Sequence, residues 1–146
     1  MQPFRFRLEK VLAWRATQLE MEQYQMKRLS AELDAIERGR ALLVVERARA
    51  GSTVLGAGRI DGADLAAHAA FLVHLGHQEQ ELEHRRLEQE KRLAQQHQRL
   101  IEARRRVRLL ERLKSRRRVE WELELTKELE QFAAEAHLAR WNAERR

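Results

Sequence analysis

The chain has 146 residues, 29 of them Lys or Arg and 23 Asp or Glu, for a formal charge of +6, with 36% charged and only 5% aromatic side chains. Ala, Leu, Glu, Arg and Gln dominate, a composition of solvent-bathed helices and coiled coils that argues against a compact globule. Cysteine is absent, which excludes disulfides, thiol catalysis and Cys-ligated zinc.

The only proline is Pro3, and four of the six glycines (Gly51, Gly56, Gly58 and Gly62) share one short window. Proline and glycine are the strongest helix interrupters, so the pattern predicts helix one over about 4–50, a turn over about 51–62 and helix two over about 64–140. The expected fold is all-α: two long helices in one antiparallel coiled-coil hairpin, with an overhanging C-terminal helix.

In helix one, Leu8, Leu29, Ile36 and Leu43 occupy one heptad row, and Leu12, Leu19, Met26 and Leu33 a second. Alternating three- and four-residue spacings of this kind form one side of a coiled coil. Arg15, Glu22 and Arg40 interrupt the rows; polar groups at a seam weaken it but restrict its register. The glycine window supplies backbone freedom for the reversal, with Asp61 set to accept a hydrogen bond at the start of helix two and Asp64 near its positive end.

Helix two repeats the pattern through Leu65, Leu72, Leu93, Leu100 and Val107, with Leu75, Leu82, Ala103 and Leu110 alongside. Glu79, Arg86, Gln89 and Gln96 fall in the same rows, so the middle of this helix is expected to be the part that frays. With residue 50 folded back on residue 64, partner numbers add to about 114 and Leu8 faces Arg106. Everything beyond about residue 111 then overhangs, carrying Leu125, Leu129, Phe132 and Ala136 between Trp121 and Trp141. An apolar stripe left bare in this way points to an interaction role.

Charge is unevenly spread: residues 99–118 hold ten basic and two acidic side chains, whereas 119–146 hold four and seven. The basic segment suits an acidic protein surface, nucleic acid or simple solvation. No aromatic stacking platforms or nucleic-acid motif accompany it. His77, Glu81 and His84 share one helical face at spacings that could ligate a divalent ion or lie solvated. No phosphate cradle, nucleophile elbow or Ser/His/Asp grouping is visible, so no enzyme activity and no cofactor are expected. Without an apolar leader or a run of eighteen apolar residues, the protein is expected to be soluble and cytoplasmic, with no membrane insertion.

The opening Phe4-Arg5-Phe6-Arg7-Leu8-Glu9-Lys10-Val11-Leu12, followed by Trp14-Arg15, resembles the F-x-F-x-L-E-x-V-L…R start of the FliJ family of flagellar type III export proteins. Leu109-Leu110-Glu111-Arg112-Leu113-Lys114 is similar to that family's LE-[KR]-L-K stretch, and Glu130-Gln131-Phe132-Ala133 sits where the family often reads D-E-x-A. The resemblance implies a stalk-like antiparallel coiled coil. Its implied partners are the flagellar export ATPase hexamer, met through the open end of the hairpin, and the cytoplasmic domain of the membrane export gate, with export chaperones as cargo of some members.

Carried onto this sequence, the motif nominates Phe4, Phe6, Leu8, Val11, Leu12 and Arg15 as ATPase contacts, with Arg104, Arg105, Arg106 and Arg108 beside them in the hairpin. An aromatic residue followed one turn later by Leu nominates Phe71 and Leu75 for the gate. The implied location is the cytoplasmic side of the inner-membrane export apparatus, peripherally attached. The alternatives are the equivalent stalk of a virulence-type III secretion system and a basic coiled-coil nucleic-acid-binding protein; nucleic acid is not the expected partner.

Overall fold

A computed structural model describes residues 2–145 and contains two α-helices, α1 over Glu9–Gly56 and α2 over Gly62–Glu144, packed against each other antiparallel. Helix one therefore runs past residue 50, and only residues 57–61 form the turn. Gly51 and Gly56 are helical, no described residue has positive φ, and a Cβ at Gly51, Gly56, Gly58 or Gly62 would meet nothing within 4 Å. These glycines weaken helix propensity without forcing a special backbone conformation. Ser52 and Thr53 are helical, with their hydroxyls donating back to the Arg49 carbonyl at 3.0 and 2.9 Å. At the start of α2 it is the main-chain carbonyl of Asp61 that accepts, from Leu65 N at 3.1 Å.

The later end of α1 corrects the expected register. Gln89, not Arg85, meets Leu29; Gln96, not Arg92, meets Glu22; and Lys114, not Arg105, meets Glu9. The reason is mechanical: moving the turn toward the C-terminus slides every opposite position on α2 the same way.

The chain divides into two compact units. In the unit Met21–Ile101, the seam follows the expected rows, with Leu29, Leu43, Leu75 and Leu100 buried and Met26, Leu33, Ile36, Leu72, Leu82 and Leu93 half-buried. Leu65, placed in those rows by spacing, is exposed instead, so the seam on α2 starts about a turn later. The middle of α2 is not the loose region that its polar residues suggested. Gln89 is 4% and Gln96 3% exposed. Gln89 Nε2 donates to the Leu29 carbonyl and to Glu32 Oε2, both at 3.0 Å. Gln96 Nε2 donates to the Glu22 carbonyl at 3.1 Å and to the Glu22 carboxylate. Burying an amide is tolerable only when its hydrogen bonds are met, and no buried side-chain polar atom among the described residues lacks a partner.

The other seam interruptions find partners in the same way. Arg40 bridges Glu37 at 3.3 Å and Glu83 at 3.1 Å, while Arg47 reaches Glu79 at 3.5 Å. Arg86 clasps Glu83 with two hydrogen bonds, at 2.7 and 3.1 Å, and holds Glu90 at 2.5 Å. The hydrogen bonds from Arg86 hold the Glu83 carboxyl below the usual carboxylate range, helped by the charges of Arg86 and Arg40, and in turn hold the Arg86 guanidinium firmly charged.

In the unit Met1–Glu20 with Glu102–Arg146, Leu12, Arg15 and Leu19 of α1 and Ala103, Val107, Leu110 and Lys114 of α2 line the seam. Residues 112–125 are not all bare, as the earlier register required: Lys114 Nζ donates to Glu9 Oε1 at 2.8 Å, and Trp121 and Leu125 are half-buried. From Thr126 to Arg145 every described residue is exposed. Among the described residues, no helix is long and apolar enough to cross a membrane.

Two outcomes are expected. Replacing both seam amides (Gln89→Leu with Gln96→Leu) removes a polar burial cost and raises the melting midpoint, by about 2–4 °C for each kcal/mol gained at this chain length. It also relaxes the register, so the disulfide yield of a Gly39→Cys/Leu82→Cys pair, where a Cβ placed on Gly39 would lie 3.5 Å from Leu82 Cδ1, falls; an unchanged yield removes the register role.

The second concerns acid. Because the folded Glu83 value lies below its ordinary 4.5, the stability it contributes is complete above that value and lost as pH falls through the lower folded one. The urea midpoint of Glu83→Gln should thus trail the parent at about pH 6 and converge with it once the pH falls below the lowered value of the folded carboxyl.

Candidate functional site

The N-terminal motif is held by an aromatic anchor rather than by helix alone. Pro3 has no N–H to donate and favours an extended backbone, and residues 2–6 are non-helical. The chain turns into α1 through Glu9 N donating to the Phe6 carbonyl at 3.1 Å and Leu12 N to the Leu8 carbonyl at 2.8 Å. The extended piece is tied to α2 at Trp121: its indole Nε1 donates to the Gln2 carbonyl at 3.1 Å, and the Phe4 ring lies 6.1 Å from the Trp121 ring, tilted 54°. A tilted pair at this separation is a favourable quadrupolar arrangement.

Phe4, Phe6 and Leu8 line a groove of about 630 Å³ with Leu113, Arg117 and Trp121. Phe4 and Phe6 are half-buried, Leu8 and Val11 are exposed, and Leu12 is half-buried in the seam. Arg15 donates to Gln18 Oε1 at 2.9 Å and lies 4.6 Å over the Trp14 ring. The apolar walls make a surface suited to a protein segment that carries an apolar anchor; the Arg117 guanidinium at the rim is paired with Glu120 at 2.9 Å, and Glu124 lines the same groove.

The arginines nominated beside this motif lie elsewhere on α2. Arg104, Arg105, Arg106 and Arg108 are exposed, but the α2 residues flanking Phe4–Leu8 are Leu113, Arg117 and Trp121. The earlier register hid this: it assigned Trp121 to a bare tail and set Leu8 against Arg106. The available signal was the Trp121/Phe4 pair itself, two aromatic residues among the chain's eight, which a longer α1 brings together.

Of the pair nominated for a membrane partner, Phe71 is 41% exposed whereas Leu75, at 1%, is sealed in the seam. Leu75 therefore packs the hairpin and leaves Phe71 as the surface member. On the histidine face, Glu81 is taken by Arg85, and His84 Nε2 lies 3.9 Å from Glu88. No cluster able to hold a metal ion occurs among the described residues.

No protein-family model matches the chain, and neither a curated protein nor a solved structure does.

Truncating the anchor should release the N-terminal segment without melting the hairpin. With Trp14 and Trp141 replaced by Phe, the Phe4→Ala variant is expected to show Trp121 emission shifted to the red by about 5–10 nm and faster amide exchange at residues 4–8, at unchanged helicity, as fits locally opened structure. Unaltered emission would show that the ring pair does not hold the segment.

Proposed function

We propose that this protein is a non-enzymatic coiled-coil component of the flagellar type III export apparatus, which binds and regulates the export ATPase hexamer and links it to the export gate. The observation that carries the reading is the motif of Phe4, Phe6 and Leu8, whose side chains line an aromatic groove with Trp121. Its support is the likeness of that motif to the FliJ family's opening, together with the two-helix hairpin such a stalk needs. The coil does no chemistry itself; it presents the groove and its flanking charges to the ATPase, so that docking alters ring assembly or turnover.

In this proposal Phe4, Phe6, Leu8 and Val11 make ATPase contacts, and Leu12 supports them from the seam. Arg104, Arg105, Arg106 and Arg108 have no ion pair with any described residue and supply electrostatic attraction that steers association. Phe71 is the exposed contact for the gate's cytoplasmic domain, and escort of export chaperones is a further role of the same coil. The protein then works in the cytoplasm, attached peripherally to the export machinery.

The test is co-purification with the export ATPase and a hydrolysis assay. Phe4→Ala/Phe6→Ala should weaken binding tenfold or more, about 1.4 kcal/mol, and remove the effect on turnover, at normal helicity. Full binding by the variant overturns the contact assignment. Steeply salt-dependent capture of duplex or single-stranded DNA in place of the ATPase would favour the nucleic-acid alternative.

A further inference from the structure

The tail of α2 carries a second coiled-coil row whose members beyond Leu125 are exposed. Leu125, Leu129, Phe132, Ala136, Ala139 and Ala143 follow one another at spacings of four and three. Leu125 is half-buried where the seam of this unit ends, whereas Leu129 is 60% and Phe132 72% exposed. Trp141, expected at the end of this row, falls off it, and its ring is covered by the Arg145 guanidinium at 4.4 Å. The row is thus continuous with the established seam and is made of three large residues followed by three alanines.

That order is self-complementary in only one direction. If a second copy's tail lies antiparallel with Phe132 of one opposite Ala136 of the other, the same alignment sets Leu129 against Ala139 and Leu125 against Ala143. Every large side chain then meets a small one, and all layers have similar volume, as knobs-into-holes packing requires. A parallel pair would instead stack Phe132 on Phe132 and alanine on alanine, crowding one layer and leaving voids in others.

The intrachain direction agrees: α1 runs antiparallel to α2, and Phe4 and Gln2 already lie against Trp121. A second tail would continue that track in the same sense. An isologous contact of this kind is the usual geometry of a two-fold dimer.

We infer that residues 125–143 form an antiparallel homodimer interface with a second copy of this chain, in which Phe132 of each copy packs on Ala136 of the other. Residues 125–143 carry three acidic and two basic side chains, so charge across the interface is nearly balanced and the pairing, carried by its apolar row, changes little with salt. The inference does not depend on any export role.

Sedimentation equilibrium of the full chain over about 5–500 µM is the test, covering the micromolar regime of a short two-stranded contact. The weight-average mass is expected to rise from 17.3 kDa toward twice that value. Phe132→Ala, which leaves alanine facing alanine, should weaken association about tenfold, and Ala136→Phe, which sets Phe against Phe, should weaken it as well. The double variant Phe132→Ala/Ala136→Phe exchanges knob and hole and should recover association to within about threefold of the parent, since the exchanged layer has the same volume. Both substituted positions are exposed, and circular dichroism checks that the hairpin is retained. Three results would overturn the inference: a constant monomer mass, tighter association of Ala136→Phe alone, or affinity that falls as salt rises. The second would mark unspecific apolar sticking, and the third would mark a basic segment gripping an acidic tail.

Discussion

Two amides fix how the helices meet within the unit Met21–Ile101. Gln89 and Gln96 lie one heptad apart on α2, both almost wholly shielded from water, and each donates across the seam to a main-chain carbonyl of α1 and a carboxylate beside it. Leucines alone would pack nearly as well after sliding one heptad, because the hydrophobic contribution depends on area and not on direction. A buried amide has no such freedom, since a displaced register would leave its N–H groups unmet at a cost of about 1–3 kcal/mol each. The same two residues therefore lower the stability of the seam and make its alignment unique.

In the unit Met1–Glu20 with Glu102–Arg146, its own pairing sets what is presented at the free ends of the helices. Because Glu9 meets Lys114, the extended residues before α1 come to rest against Trp121. The phenylalanines of the opening motif then share one groove with Leu113 and Arg117. A register shorter by one heptad would set Glu9 beside Val107 and leave Trp121 bare.

The heptad rows were legible from the sequence because period alone identifies them: Leu29, Leu43, Leu75, Leu100 and Val107 are buried as their spacing predicts. The register was not, because it depends on where α1 ends, and the glycine window misleads there. Gly51 and Gly56 stay helical since neighbouring turns already supply their hydrogen bonds and no φ in the turn demands glycine. Propensity is a weak prior that helical context overrides. The looseness expected around Gln89 and Gln96 failed for a related reason: a polar residue in a row reads as a defect until its partner on the other strand is known. For the candidate site, Phe4, Phe6 and Leu8 could be nominated from the motif, but Trp121 could not be joined to them without the register.

The five-residue turn also decides how the molecule responds to dilution. By tethering α1 to α2 it makes their zippering a first-order event, at an effective concentration in the millimolar range typical of short linkers. With no cysteine and no knot to lock it, the hairpin can open and reclose one heptad at a time while its two strands never part company. Any contact the exposed tail makes with another molecule has no such tether and must follow the law of mass action, so occupancy there reports how crowded the surroundings are.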